Sequence, residues 1–460
     1  MLKPFDITAG ALVTAAIASG DVYQAAAVYE LAHGAERERL DEILFGNRRN
    51  ALMLARWEHT PAAVLQALSS LWGQAVRQRV EKHLKTSAKT LLKLYEEESD
   101  SNLLVLIAQH RHTPAPVLEN MAGESGQDEV LKAVASNPAA TVEALRSLHA
   151  RFPIRFHASL ATHAMTPADI LAGLYAKGNE YVQAAVVAHA HCPEHLFAEA
   201  ALSGSSLIVR HLAGNPGLPI KLQVKLAAST DVAVRRSIAN NPNLRPELLF
   251  VLAKDESIDI RRAIAGRRDL SPALLESMVE DADHWVRQHI ARHPAMPKTY
   301  LCQLAQDTNP EVRRAVARNP ECPLALLARL ATDEHEWVRS GVAYHPHAGE
   351  ALMNMLANDA SVDVLSGVAS NPQTPQLILR CLAQADDENI RRGVILNPQA
   401  SVRILKQLLE DPYYLHRVLL MSNSVLRDED KWPLHEDPDP SVRFAAMRWF
   451  TEKILAMRRV

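Results

Sequence analysis

Aromatic residues are scarce in this chain. Phe, Trp and Tyr make up 5% of 460 residues, although hydrophobic residues as a group reach 48%. Large compact cores lean on ring volume, whereas an Ala, Leu and Val core suits short helices packed closely. At this length a single core has stopped growing, so the chain either divides or is elongated. Cysteine is nearly as rare. Cys192, Cys302, Cys322 and Cys381 are spread thinly and form no C-x-x-C pair. That pattern excludes a disulfide framework and points to the reducing cytoplasm. Net charge is close to balanced, at −3, so whole-chain attraction to nucleic acid or anionic lipid is not expected. No apolar run approaches the roughly 18–20 residues of a membrane span, and no membrane partner is expected. Ile7 to Ala18 is mildly apolar, but Asp6 sits where a leader would carry positive charge. The first helix of a cap is the expected reading.

What the sequence does have is a register. Asn215, Asn241, Arg267, His293, Asn319, His345, Asn371 and Asn397 follow one another at steps of 26 residues. The step extends back to His189, His163 and Asn137, then through steps of 27 to His110 and His83, and on to Trp57. Forwards it reaches Asn423 and Trp449. Fixed-period self-similarity of this kind is the signature of a stacked-repeat architecture.

One unit, Asn319 to Tyr344, shows the plan. Pro323 suits the first turn of a helix, where its missing N–H costs nothing. Leu326, Leu327, Leu330 and Ala331 then line one helical face. The polar stretch Thr332 to Glu336 turns the chain, and Val338, Val342 and Ala343 form the stripe of a second helix. That helix must stop before Pro346, because a residue preceding proline is pushed out of the α region. Each unit is therefore helix A, turn, helix B and a proline-bounded turn. Neither helix can bury its stripe alone, so units must stack. The expected fold is all-α, an α-solenoid (superhelix) of about fifteen such helix-pair repeats.

Strings such as VRRAVARNPECPLALLARLATD (Val312 to Asp333) and VRRSIANNPNLRPELLFVLAKD (Val234 to Asp255) resemble the leucine-rich repeat variant family, a HEAT-like group of short helical repeats. The resemblance is specific from about Val209 to Asn397 and weaker from Ala51 to Leu207. It implies a fold and a tendency to bind partners, not an activity. Some members of that family carry an N-terminal cysteine cluster with an iron–sulfur centre. No cysteine precedes Cys192 here, so that cofactor does not carry over and none is expected. The organisation expected is an N-terminal cap over 1–50, degenerate repeats over 51–207, regular repeats over 208–400, and degenerate repeats with a C-terminal cap over 401–460.

Two columns read as structural. Arg210, Arg235, Arg261, Arg287, Arg313, Arg339, Arg391, Arg417 and Arg443 follow the core valine of helix B or its equivalent, and Leu365 breaks the series. In most units an aspartate lies six residues earlier, at Asp255, Asp281, Asp307, Asp333, Asp411 and Asp437. The guanidinium is expected to bond that aspartate and carbonyls of the adjacent unit, holding layers in register. The Asn/His column is expected to satisfy backbone groups left open at the proline turn.

A partner would sit on the outward face of helix B, five and one residues before the Asn/His column. Those positions hold Arg236 and Asn240, Arg262 and Gly266, Gln288 and Arg292, Arg314 and Arg318, Ser340 and Tyr344, Ser366 and Ser370, and Arg392 and Leu396. Arg267 and Arg268 add charge at a nearby turn. If helix B lines the concave side, Arg236, Arg262, Arg267, Arg268, Arg292, Arg314, Arg318 and Tyr344 form a basic stripe. Such a stripe suits an acidic protein segment or, alternatively, the phosphates of a nucleic acid; the bland reading is a solvated face. Gly341, Gly367 and Gly393 beside it could admit a partner backbone or simply permit tight helix packing. Trp285 and Trp337 at aligned turns are expected to wedge between layers.

Chemistry is harder to find. His189, His191, Cys192 and His195 have ligand-like spacing, but His189 belongs to the Asn/His column and Cys192 aligns with Cys322, so no metal site is expected. There is no P-loop, no G-x-G-x-x-G after a strand and no G-x-S-x-G. The expectation is a non-enzymatic scaffold or adaptor that grips a protein partner through helix B.

Overall fold

The computed structural model describes residues 7–459, and among them every regular element is helical. The chain is an α-solenoid of helix-pair repeats that forms two compact units. One runs up to Asn243 and takes in the residues from Phe450 on; the other is Leu244–Trp449. The first six residues of the expected N-terminal cap lie outside the described residues. Among the described residues the stretch expected to form that cap holds the helices Ala9–Ser19 and Val22–Val28, joined at Gly20, whose φ of 63° is left-handed. The last helix, Pro440–Arg459, is a single 20-residue rod in which the final helix B runs straight into the expected C-terminal cap helix.

The repeat anatomy follows the apolar pattern. In the unit read above, helix A is Leu324–Leu330 and helix B is Glu336–Ala343. Leu327, Leu330, Val338, Val342 and Ala343 are each 3% exposed or less. Pro323 stands one residue earlier than expected, at the N-cap rather than in the first turn. Within each compact unit successive B helices pack directly on one another, and in Leu244–Trp449 helix A packs mainly on the B helices beside it.

Two side-chain ladders join the layers. Arg287 illustrates the first. Its Nη1 donates to the carbonyls of Asp281 (2.7 Å) and Ala282 (3.2 Å) in its own turn. Its Nε and Nη2 grip Asp307 at 2.6 and 3.0 Å, twenty residues on. Arg261, Arg313, Arg339, Arg391 and Arg417 repeat this with Asp281, Asp333, Asp359, Asp411 and Asp437. The expected bond is thus corrected: the aspartate six residues earlier supplies its carbonyl, and the carboxylate comes from the following repeat. Asp359 belongs to the column as well. Each carboxylate also accepts the backbone N–H two residues on, as Asp307 does from Asn309 at 2.9 Å. Burial pushes the Asp307 and Asp333 carboxyls up, but the arginine bonds and the backbone N–H outweigh it and hold both below the usual range.

The Asn/His column is the second ladder. Asn319 Nδ2 donates to the carbonyls of Ala291 (2.7 Å) and His293 (2.9 Å), and its Oδ1 accepts from the Glu321 N–H. His345 contacts the Asn319 carbonyl through Nε2 at 2.9 Å and accepts the His347 N–H at Nδ1. Asn371 then donates to the His345 carbonyl. Buried polar groups stay cheap only when bonded, and here each bond also fixes the stacking of one repeat on the next.

Two departures are informative. Where Leu365 replaces the ladder arginine, the position twenty residues on is Ala385, so both partners are absent together. Glu81 breaks a different column. Two residues before the Asn/His position most repeats place a buried alanine, such as Ala55, Ala108, Ala135, Ala213, Ala317 or Ala343. Glu81 is 0% exposed, and neither carboxyl oxygen has a hydrogen-bond partner. Burial, followed by the charge of Glu98, pushes its pKa up to about 8.

Arg313→Leu alone leaves Asp333 buried without its cation and is expected to cost about 3 kcal/mol in urea unfolding. Arg313→Leu with Asp333→Ala copies the natural Leu365/Ala385 pair, and its cost should fall short of the summed single costs by about 1 kcal/mol or more. Additive losses would contradict the ladder. For Glu81 the folded pKa lies above the unfolded one. Its contribution is therefore full below about pH 4.5 and lost as pH rises towards 8. Glu81→Gln should stabilise the chain by about 2–4 kcal/mol more at pH 8 than at pH 4.5; a pH-independent difference in melting would contradict this.

Candidate binding surface

The exposed face of helix B is where the ladders leave side chains over. Positions eight, five and one residue before the Asn/His column are spaced i, i+3 and i+7, so they share one helical face. In the first six repeats of Leu244–Trp449 they are Asp259, Arg262 and Gly266; Trp285, Gln288 and Arg292; Glu311, Arg314 and Arg318; Trp337, Ser340 and Tyr344; Asp363, Ser366 and Ser370; and Asn389, Arg392 and Leu396.

The expected stripe does not survive intact. Arg262 is bidentate to Asp283, at 3.1 and 2.7 Å, with its guanidinium 5.8 Å from the Trp285 ring centre. Arg267 occupies the Asn/His position, is largely buried, and is bidentate to Asp269 at 2.8 and 2.7 Å. Both charges are answered internally. Arg268 is exposed beside it in the turn, and Arg236 is exposed in the other compact unit. Ser340 and Ser366 are buried between neighbouring B helices rather than outward.

What the structure does bring together is Arg292, Arg314, Arg318 and Tyr344. Arg318 lies 5.4 Å from the Tyr344 ring centre. Burial, then the neighbouring charges of Arg314 and Arg292, lower the pKa of Arg318. The Nε atoms of Arg314 and Arg318 are buried without an acceptor, and Gln288 Oε1 on the same face is buried without a donor. Among the described residues none of these three arginines forms an ion pair, in an array where Arg261, Arg287, Arg313 and Arg339 are all bridged to carboxylates.

The tryptophans correct an expectation. Trp285 and Trp337 do not wedge between layers; they are 46% and 39% exposed. Trp285 stacks on His289, with ring centres 4.9 Å apart. Their place on the face was legible in the i, i+3, i+7 spacing with Arg292 and Tyr344. The glycine alternative is settled on the packing side. A Cβ on Gly367 would stand 2.6 Å from the Ala343 Cβ and 3.0 Å from the Tyr344 ring, and one on Gly393 would stand 2.7 Å from the Ala369 Cβ.

The histidine–cysteine string does not converge on a metal. His189 contacts the His163 carbonyl through Nε2 at 2.9 Å and accepts the His191 N–H at Nδ1. Both ring nitrogens are thereby used. Among the described residues no group of three His, Cys, Asp or Glu is placed to hold a metal ion. Burial raises the Cys192 thiol to about 11, and burial with Cys302 nearby raises Cys322 to about 12, which keeps both unreactive. Both thiols donate to the following proline carbonyl, as their alignment implies.

With this geometry in view, the family model described as leucine rich repeat variant matches residues 310–335, which contain helix B from Pro310 and the following helix A. Residues 310–335 are similar to the leucine-rich repeat variant family. Among solved structures, a leucine-rich repeat variant with a novel repetitive structural motif is 24% identical, covering 48% of this chain and 88% of its own, with a TM-score of 0.35. Importin beta is 11% identical over 94% of this chain and 67% of its own, with a TM-score of 0.35. UNC-45 from Drosophila melanogaster is 12% identical over 100% of this chain and 73% of its own, with a TM-score of 0.20. No curated protein matches the chain. Among the described residues no helix is long and apolar enough to cross a membrane.

Alanine is favoured over glycine in a helix by about 1 kcal/mol, so propensity alone makes Gly367→Ala stabilising. Because its Cβ meets the neighbouring B helix, the opposite is expected, a loss of about 1–3 kcal/mol by chemical denaturation. A gain in stability would return the glycines to the role of opening the surface.

Proposed function

We propose that this chain is a non-enzymatic scaffold that holds a protein partner on the helix B face between Trp285 and Tyr344. The observation that carries the reading is the set of unanswered guanidiniums at Arg292, Arg314 and Arg318, set among half-exposed Trp285, Trp337 and Tyr344. Trp, Tyr and Arg are the residues that dominate binding energy at protein interfaces. An acidic side chain of the partner would give Arg314 and Arg318 the acceptors their own repeats lack. Of the candidates read from sequence, Arg292, Arg314, Arg318 and Tyr344 make the contact; Arg262 buttresses Trp285, while Arg267 belongs to the turn. Arg268 stands outside the cluster in this reading, and Arg236 belongs to the other compact unit. The four unpaired cysteines suit a reducing compartment, and the cytoplasm is the proposed location.

A nucleic acid is the poorer fit for this face. Phosphate binding needs cations along a path, and here the charge is interrupted by Asp283 and Asp269 and flanked by Glu311 and Asp363.

The test is capture of partners from native lysate by the tagged chain, with and without nuclease, alongside the Arg314→Glu, Arg318→Glu double variant. A protein retained through nuclease treatment and reduced about tenfold or more by the double variant is expected, since a lost buried charge contact is worth over 1.4 kcal/mol. Loss on nuclease treatment would replace the partner with a nucleic acid, and retention by the double variant would remove the face from the reading.

A further inference from the structure

A second cationic site lies in the other compact unit, where the sequence drew no attention. A cavity of about 510 Å³ opens between the C-terminal ends of the helices Arg48–Arg56 and Gln74–Lys82. Its walls carry Arg56, Arg79, Lys82 and Lys85, with Glu58 and His59 at the rim. An adjoining cavity of about 680 Å³ shares Arg56 and adds Arg48, Arg49 and Trp57. Six cations therefore line two open hollows that share Arg56. Among the described residues none of the six forms an ion pair; Arg79 bonds only the Ala75 carbonyl, and Glu58 faces His59 at 3.3 Å.

Helix electrostatics account for part of this cluster. Arg56, Arg79 and Lys82 stand in last turns, where the carbonyl end of the helix favours positive charge. Arg48 and Arg49 stand in a first turn, where the same dipole opposes them. Lys85 lies beyond the helix in a turn fixed by its own N–H to His83 Nδ1 at 3.2 Å. His83 is not a further cation: burial lowers its pKa, and both ring nitrogens are engaged. Only Arg48 and Arg49 oppose a helix dipole, and the six cations are mostly solvent-exposed; what marks them is that they line one concave surface with no carboxylate bridged to any of them among the described residues.

We infer that these cavities bind a compact ligand carrying two or more phosphoryl groups, held by Arg56, Arg79, Lys82 and Lys85 with Arg48 and Arg49 on the adjoining side. Four to six cations match several negative charges rather than a single carboxylate. The volume is that of a small-molecule site. The charge is also bounded. The next helix B, Ser101–Gln109, offers Asn102, Val105 and Gln109 at the equivalent face positions, and the preceding helix, Gly34–Phe45, carries Glu38, Asp41 and Glu42. Arg37 and Arg39 on that preceding helix alternate with Glu36 and Glu38, and Arg111 beyond Gln109 donates to His112, so a compact ligand is favoured over a long nucleic-acid strand.

The experiment is calorimetric titration of inorganic triphosphate into the full chain in chloride buffer near physiological ionic strength. Saturable 1:1 binding is expected, weakened about tenfold or more by Arg56→Ser with Lys82→Ser and by Arg49→Ser with Lys85→Ser, since each pair removes two charge-assisted contacts. All four side chains are exposed or at the cavity rim, and unchanged thermal melting will confirm that the variants fold. Arg268→Ser with Arg380→Ser, exposed on the other unit and outside both proposed sites, should leave the affinity unchanged. Absence of saturable heat, or equal weakening by all three pairs, would overturn the site. Single-stranded oligonucleotides whose affinity keeps climbing from about 4 to about 12 nucleotides, with triphosphate a poor competitor, would overturn the compact ligand.

Discussion

The Arg–Asp bridge between consecutive repeats is the constraint on which the regular part of the array depends. A 26-residue unit buries too little apolar surface to fold alone, and apolar stripes of Ala, Leu and Val slide over one another at little cost. A bidentate guanidinium–carboxylate pair does not slide. In Leu244–Trp449 the carboxylates of Asp281, Asp307, Asp333, Asp359, Asp411 and Asp437 are each clamped by the preceding repeat's arginine, which also holds carbonyls of its own turn. A buried pair of this kind gains little net stability over an apolar pair, but breaking one half is expensive. Its use is register. The coupled absence of both members at Leu365 and Ala385 fits that account, because half a bridge is worse than none.

Register at the ladder determines what the B face can present. With the B helices packed directly on one another, there is no room for a Cβ at Gly367 or Gly393, and Ser340 and Ser366 are enclosed. At Ser340 and Ser366 the position five residues before the Asn/His column is closed, whereas Trp285, Trp337, Arg292 and Tyr344, eight and one residue before it, stay exposed. That places Trp285 and Trp337 beside Arg292, Arg318 and Tyr344 on neighbouring turns, a spacing set by the scaffold and not by the binding residues themselves. The same close packing traps Arg314 and Arg318 Nε without acceptors. Their tension with one another is sustained because the backbone beneath them is over-determined by two ladders.

Most of the fold was legible because its signals are periodic. The 26-residue register, the helix A and B stripes and the two structural columns can each be read from residue identity at fixed steps. Two features escaped for physical reasons. In the degenerate half, Thr60, Thr86, Thr113 and Thr166 form a column three residues after the Asn/His position, each hydroxyl bonded to a carbonyl six residues back. Regular repeats mostly put an apolar residue there, such as Leu218, Leu244, Leu270 or Met296, although Thr374 keeps the same bond to the Val368 carbonyl. A buried threonine and a leucine do the same job by different means, so similarity of residue type fades while the geometry persists. Glu81 escaped because its oddity lies in burial, which a single repeat does not announce.

The candidate sites were less legible, and the reason is that charge identity does not reveal charge pairing. Sixteen basic and sixteen acidic residues lie between 230 and 340, and a stripe of arginines along helix B looks uniform on paper. In three dimensions Arg262 has Asp283, Arg267 has Asp269, and the ladder arginines have their aspartates, while Arg292, Arg314 and Arg318 have none. The useful quantity is the residue of positive charge after internal pairing, not the total. By that measure the cluster at Arg48, Arg49, Arg56, Arg79, Lys82 and Lys85 stands out more than the stripe does, although it falls in repeats whose sequence is least regular. An array held by internal ion pairs advertises its binding surfaces as the places where pairing stops.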